Sequence, residues 1–280
     1  MSEAADTAIE TARAYYDSED ADNFYASIWG GEDIHIGLYE SDEEPIAAAS
    51  RRTVARMAEL AAPIGADTRV LDIGSGYAGS ARWLAQAHGC RCVALNLSTR
   101  ENERARALNA EQGLGDRVEV VDGAFEDLPF EDAAFDLLWS QDAFLHSGDR
   151  PRVLAEAVRV LAPGGRLVFT DPMRADDCPE GVLDPILERL HLSDLGSPGF
   201  YRDRLAALGL RCLTFEDHSE QLPAHYGRVR SELVARREEL AGRISDAYVE
   251  RMARGLSHWV EGGRAGHLAW GIFLFEKPAA

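Results

Sequence analysis

The chain has 280 residues, 46% of them hydrophobic, which suffices for one large α/β domain with insertions or two modest domains and excludes wholesale disorder. Its 48 acidic residues against 29 basic ones give a net charge of −19, a surface that repels nucleic acid and anionic membrane and suits a salty cytosol. No run of about 18 apolar residues occurs, so no membrane span is expected. The acidic opening MSEAADTAIETARAYYDSEDAD lacks the charged-then-apolar pattern of a secretory signal, so a cytoplasmic protein is expected. Cys90, Cys92, Cys178 and Cys212 form no CxxC pair and no zinc-spaced cluster, so no metal is expected; Cys90 and Cys92 read as buried thiols.

Residues 1–62 read as amphipathic helix, interrupted by an aromatic, glycine-containing loop at Tyr25–Tyr39. From there the pattern alternates regularly. Arg69–Ile73 is a buried strand ending in glycines, Ser80–His88 a helix closed by Gly89, Arg91–Asn96 a strand, and Thr99–Gln112 a helix. Strands follow at Arg117–Val121 and Phe135–Ser140, then the helix Pro151–Leu161, stopped by Ala162-Pro163-Gly164-Gly165, and the strand Arg166–Asp171. This order predicts a parallel sheet with right-handed crossovers. The helix Tyr201–Leu208 and the strands Leu210–Phe215 and Trp270–Glu276 complete it. The helical segments Gly227–Leu240 and Ser245–Trp259 lie in a connection too long for a simple loop. Insertions are therefore expected at about 173–198 and 218–267, near the strand ends where open α/β sheets bind ligands. The organisation expected is a helical N-terminal segment, 1–62, followed by a main domain, 63–280.

The strongest local signal is Val70-Leu71-Asp72-Ile73-Gly74-Ser75-Gly76-Tyr77-Ala78-Gly79, a GxGxxG turn between strand and helix. Glycines let the backbone turn tightly and approach a ligand, and the helix N-terminus favours a polar or anionic group. Alone the motif also fits a nicotinamide dinucleotide. Asp72 at the strand end suits a cationic ligand and opposes a pyrophosphate, and the second strand ends in Asn96 rather than an acid. Both features count against a nicotinamide oxidoreductase. A module that binds a cofactor-like ligand without catalysis remains a separate reading.

With Gly123–Phe130, Phe135–Ser140 and Leu161–Gly165 downstream, residues 69–171 resemble the class I S-adenosylmethionine-dependent methyltransferases. The resemblance implies a Rossmann-like α/β fold, with a seven-stranded, mostly parallel sheet, a helical N-terminal lid and helical insertions. It places Asp72, Gly74 and Gly76 at the methionine and ribose of S-adenosylmethionine, Asn96 and Leu97 at ribose and adenine, Ala124 and Phe125 beside adenine, and Ser140 and Gln141 at the sulfonium end. Ala124 stands where many members carry an acid, which implies that adenine is recognised through backbone groups.

The segments Ala21–Tyr39, Trp139–Ser147, Thr170–Gly181, His218–Arg230 and His258–Phe275 resemble the bacterial sarcosine/dimethylglycine N-methyltransferases of glycine betaine synthesis. The implied acceptor is a small-molecule amine; the alternative is a methyltransferase of this fold acting on another small amine or natural product. An amine must be unprotonated to attack, so Asp142 and His146, just past the fourth strand, are candidate proton acceptors. Trp29 and Tyr226 offer aromatic faces to a methylated ammonium, as do Tyr25, Phe144 and Tyr201. Arg174, directly after the fifth strand, is the first choice for the acceptor carboxylate, ahead of Arg202, Arg228 and Arg230. His35 in the lid is expected to touch the substrate or the cofactor carboxylate, or else to pin the loop. His35→Ala and Trp29→Ala are expected to lower turnover without unfolding the protein. Oligomeric state, monomer or homodimer, stays open.

Overall fold

The computed structural model describes Arg13 and residues 17–190 and 192–279. The acidic opening and most of the first expected helix lie outside these residues. Two described helices follow, α1 (Glu19–Ile28) and α2 (Ile46–Leu60). The alternating region then gives β1 (Arg69–Ile73), α3 (Gly79–His88), β2 (Arg91–Asn96), α4 (Thr99–Glu111), β3 (Val118–Asp122), β4 (Phe135–Gln141), α5 (Arg150–Val160) and β5 (Leu161–Thr170). Beyond it lie β6 (Met173–Arg174), α6 (Asp184–Leu190), α7 (Pro198–Ala207), β7 (Arg211–Asp217), α8 (Gln221–Ala235), α9 (Arg237–Leu240), α10 (Asp246–Arg264), β8 (Leu268–Ala269) and β9 (Gly271–Glu276). No described helix is long and apolar enough to cross a membrane.

Seven strands form one sheet in the order β3-β2-β1-β4-β5-β9-β7, in which β9 alone runs antiparallel to its neighbours. The order reverses beside β1, which opens a crevice at the carboxyl ends of β1, β2 and β4. The period-two alternation of the strands loads both faces. Leu71, Ile73, Leu138, Phe169 and Phe273 pack against α5 and α7, whereas Val70, Cys92, Trp139, Val168 and Ile272 pack against α2 and α3. Cys90 and Cys92 lie in that second core; Cys178 is half-buried and Cys212 exposed.

Above the crevice a third core joins Phe24 and Ile28 of α1 to Val229 and Leu233 of α8 and to Tyr248, Met252 and Leu256 of α10. Within the described part of 1–62, α1 thus belongs to this cap while α2 lies on the sheet. The helix starts are chemically marked. Ser18, Ser98, Asp149, Ser197 and Ser245 each accept a backbone N–H from the first turn of α1, α4, α5, α7 and α10.

Several boundaries differ from the sequence expectation, among them the end of α10, which runs to Arg264 rather than Trp259, and two have a visible local cause. Strand β5 begins at Leu161 rather than Arg166, because Gly164 N–H donates to Lys277 O and Lys277 N–H to Gly165 O, pairing the turn with the final strand's extension. The helix expected at Gly227–Leu240 starts at Gln221 and breaks at Arg236. Pro223 is tolerated there because it falls in the first turn, where its missing N–H has no helical partner.

Candidate active site

A cavity fills the crevice, holding about 160 Å3 open to the centres of water molecules. Its floor is the glycine loop and the strand ends: Asp72, Gly74, Ser75, Gly76, Asn96, Leu97, Ala124, Phe125 and Gln141 all line it. Gly74 sits at φ +74, and a Cβ there would lie 2.4 Å from that of Ala143. Gly79 has a different task. A Cβ on it would lie 2.3 Å from Glu32 O, so its bare Cα lets the lid segment rest on the start of α3.

Asp72 is 2% exposed, and among the described residues no donor hydrogen-bonds its carboxylate. Burial pushes its carboxyl up to about 7, against the pull of His35. Such a group is complemented by a cation. Gln141 accepts hydrogen bonds from Ser80 Oγ at 2.6 Å and Trp139 Nε1 at 2.8 Å, and among the described residues its buried Nε2 is an unused donor at the cavity. Asn96 Nδ2 donates to Glu101 Oε2 at 2.8 Å. Glu101 is itself buried, pushed up to about 7 by burial, and lines the cavity. The acid that is missing at the end of β2 thus arrives from α4.

The lid loop between α1 and α2 is stitched on three sides. Ile36 N–H donates to Asp142 Oδ2 at 2.7 Å, Gly37 N–H to His225 Nδ1 at 3.3 Å and Tyr39 N–H to Gln221 Oε1 at 2.8 Å. Trp29 Nε1–H donates to His35 O at 3.1 Å, and Ser50 Oγ to the same oxygen at 2.8 Å. Trp29 and His35 both line the cavity, with His35 Nε2 3.7 Å from Asp33 Oδ1. Trp29 is also 5% exposed and packs against Phe24, Tyr25 and His225. Its truncation to alanine is therefore expected to cost about 3–5 kcal/mol of stability, which changes the expectation drawn from sequence. His35→Ala and Trp29→Phe are the cleaner probes; both are expected to lower kcat/KM at least tenfold, by about the loss of one well-placed contact, with little change in melting temperature. Wild-type kinetics in both would separate the lid from the chemistry.

Three sequence expectations are corrected. Ser140 does not face the cavity: its Oγ donates to Ile73 O at 2.7 Å inside the sheet. Ser140 and Gln141 are adjacent in a strand, so only one of them points each way. Tyr201 is fully buried under the sheet, its hydroxyl donating to Asp171 Oδ2 at 2.6 Å, and no face is left for a ligand. Arg174, in β6, is outside the cavity lining. Among the described residues two arginines line the cavity, Arg13 and Arg189 of α6, and Trp259 of α10 stands near Tyr226, stacked on it at 4.9 Å.

Asp142 and His146 both line the cavity, in environments unlike those of proton acceptors. Asp142 sits at φ +52 and accepts from Ile36 N, Thr170 Oγ1 and Trp270 Nε1 at 2.7–2.8 Å. Burial raises its carboxyl, while His35 and these donors oppose the rise. Burial, aided by Arg189 and Arg150, holds His146 down to about 4, so the ring is neutral at physiological pH.

Residues 71–169 match a family described as a methyltransferase domain. The chain is 65% identical over 97% of its length to a sarcosine/dimethylglycine N-methyltransferase from Halorhodospira halochloris, covering 98% of that protein. It is 52% identical over 98% of its length to the enzyme of the same name from Aphanothece halophytica, covering 99% of it. The chain belongs to the sarcosine/dimethylglycine N-methyltransferase family. The crystal structure of a candidate family member from Galdieria sulphuraria superposes with a TM-score of 0.90 at 42% identity, covering 95% of this chain and all of that one. The methyltransferase is thus Rossmann-like, and its donor is S-adenosylmethionine. The floor fits that donor: among the described residues Asp72 offers an unpaired carboxylate to its ammonium, and Gln141 Nε2 and Ser75 Oγ offer buried polar atoms with no protein partner.

Proposed function

We propose that the enzyme methylates the amine nitrogen of sarcosine and dimethylglycine, giving glycine betaine, an osmolyte. The observation that carries this reading is the cavity's composition. A buried carboxylate floor continues into a cap wall of Tyr25, Trp29, Tyr226 and Trp259, which suits a methylated ammonium that the aromatic faces attract by about 0.5–2 kcal/mol each. The high identity to the named relatives supports the same acceptors. In this reading the described part of 1–62 is the lid over a main domain running from 63, and the insertions at 173–198 and 218–267 supply the acceptor walls. The enzyme works in the cytoplasm.

Bound S-adenosylmethionine would supply a sulfonium methyl group whose carbon the amine lone pair attacks in line, with S-adenosylhomocysteine leaving. The residues of the chain contribute position and dryness. Asp72, Asn96 and Glu101 hold the donor at the strand ends; Leu97, Ala124 and Phe125 flank its base; Gly74, Gly76 and Gln141 set its reactive end. Asp142 fixes the lid through Ile36 N–H. His146 is a neutral wall of the acceptor site and, held at about 4, is too weak a base to deprotonate an alkylammonium. The acceptor therefore loses its proton to solvent on entry. Accordingly, kcat/KM is expected to rise tenfold per pH unit below the acceptor's own pKa, and His146→Gln is expected to leave that slope unchanged. A new limb in the variant's profile would restore a proton-transfer role.

The direct test measures S-adenosylhomocysteine release and product mass with glycine, sarcosine and dimethylglycine. Sarcosine and dimethylglycine are expected to yield betaine. Absence of methylation on all three would remove the acceptor assignment and leave the donor site standing.

A further inference from the structure

Arg189 reaches the cavity from α6 and meets α10 side-on. Were Gly255 to carry a Cβ, it would lie 2.5 Å from Arg189 Cδ and 2.6 Å from Nε, so the guanidinium stem crosses the helix where the side chain is missing. Glycine is a poor residue for a helix interior, and here it makes a groove for the arginine. Trp259 is one turn further along α10 and so on the same face. Met252, one turn earlier, accepts Arg189 Nη1 through Sδ at 3.6 Å. Two strong donors are thus neighbours in one wall. Among the described residues Arg189 Nε and Trp259 Nε1 are buried without hydrogen-bond partners, and no carboxylate pairs with Arg189. Both residues line the cavity. Buried donors left unpaired are costly, and a guanidinium beside an indole N–H matches the two oxygens of a carboxylate.

We propose that Arg189 and Trp259 form the cradle for the carboxylate of the amino-acid acceptor and select it against amines that lack one. The proposal rests on the amino-acid reading of the acceptor. It gives Gly255 a reason, since any larger residue would displace the guanidinium.

The first experiment needs no turnover. Line broadening of carbon-13 acetate is recorded with the protein saturated by S-adenosylhomocysteine, for wild type, Arg189→Met and Trp259→Phe. Wild type is expected to broaden acetate, Arg189→Met to abolish the effect, and Trp259→Phe, which keeps the stack on Tyr226, to weaken it. Equal broadening in wild type and Arg189→Met, or none in either, overturns the cradle. The second experiment compares dimethylglycine with dimethylethylamine. Arg189→Met is expected to raise KM for dimethylglycine roughly 10- to 100-fold with kcat little changed. The preference over dimethylethylamine should collapse, Arg189→Lys should recover part of it, and donor affinity should hold by calorimetry. An equal loss on both amines overturns the proposal. If wild type methylates no amino acid yet the acetate result holds, the acceptor reading fails and the carboxylate cradle stands. Melting temperatures of all variants within a few degrees of wild type exclude misfolding as the cause.

Discussion

Asp72→Asn is expected to weaken S-adenosylmethionine binding roughly 10- to 100-fold at pH 8.5, the worth of one hydrogen bond to a charged partner. The same substitution should remove the share of that affinity's pH dependence that comes from Asp72. The empty protein holds Asp72 at about 7, whereas the ordinary value is 3.8. A cationic donor binds the ionised form, so below pH 7 each binding event must expel a proton. Wild-type affinity therefore falls as pH drops, by up to tenfold per unit, and proton release is visible as a buffer-dependent calorimetric enthalpy. Asparagine has no proton to lose, so the part of the fall below pH 7 that comes from Asp72 should vanish, leaving only the share of Glu101, which is also raised to about 7.

Stability moves the opposite way. Between about 4 and 7 the empty folded protein carries a proton on Asp72 that the unfolded chain has lost. Raising pH through that window therefore subtracts stability, and the buried ionised carboxylate stays unpaired above it. Asp72→Asn is expected to raise the melting temperature of the empty protein at pH 8 while lowering donor affinity. A variant that binds the donor like wild type at pH 8.5 would refute the role assigned to Asp72.

Asp142→Ala is expected to be among the most destabilising single changes at the site. It would orphan Ile36 N–H, Thr170 Oγ1 and Trp270 Nε1 together, all bonded at 2.7–2.8 Å. It would also place alanine at φ +52, a region that asparagine and aspartate tolerate better. The loss is about 3–5 kcal/mol, which for a chain of this size lowers the melting temperature on the order of 10 °C. Asp142→Asn keeps the left-handed backbone and one acceptor oxygen, so it should lose much less. Because one of the three donors belongs to the lid, proteolysis within residues 29–45 should quicken in the alanine variant more than in the asparagine one. A melting temperature like that of wild type would show that the lid is held elsewhere.

Most strands could be read to within a residue or two, because buried strands between glycines and capped helices leave strong local marks. The cavity floor was legible for the same reason: Asp72, Gly74, Gly76 and Asn96 sit at or just after strand ends that the pattern defines. Side-chain direction was harder. The period of two was available to separate Ser140 from Gln141, but proximity to the motif obscured it. Tyr201 carries no local sign of whether its hydroxyl meets Asp171 or solvent. The acceptor wall was least visible, since Arg189 and Trp259 lie on helices whose amphipathic pattern says only that one face is covered. Gly255 inside such a helix was the overlooked mark, because a glycine there forgoes about 1 kcal/mol of helix propensity and signals a close neighbour. Glu101 escaped notice because the acid expected at the end of β2 is delivered from the next helix.

The seat of Glu32 on Gly79 ties together two events that a looser loop would keep separate. The stretch that roofs the donor also carries Trp29 and His35 into the acceptor chamber. Spent donor cannot be exchanged while that roof is down, and lifting it dismantles the chamber around the half-finished product. On the proposed acceptors each methyl addition therefore ends with the product set free. Distributive turnover is thus the expected outcome, visible as free dimethylglycine accumulating while sarcosine is being consumed.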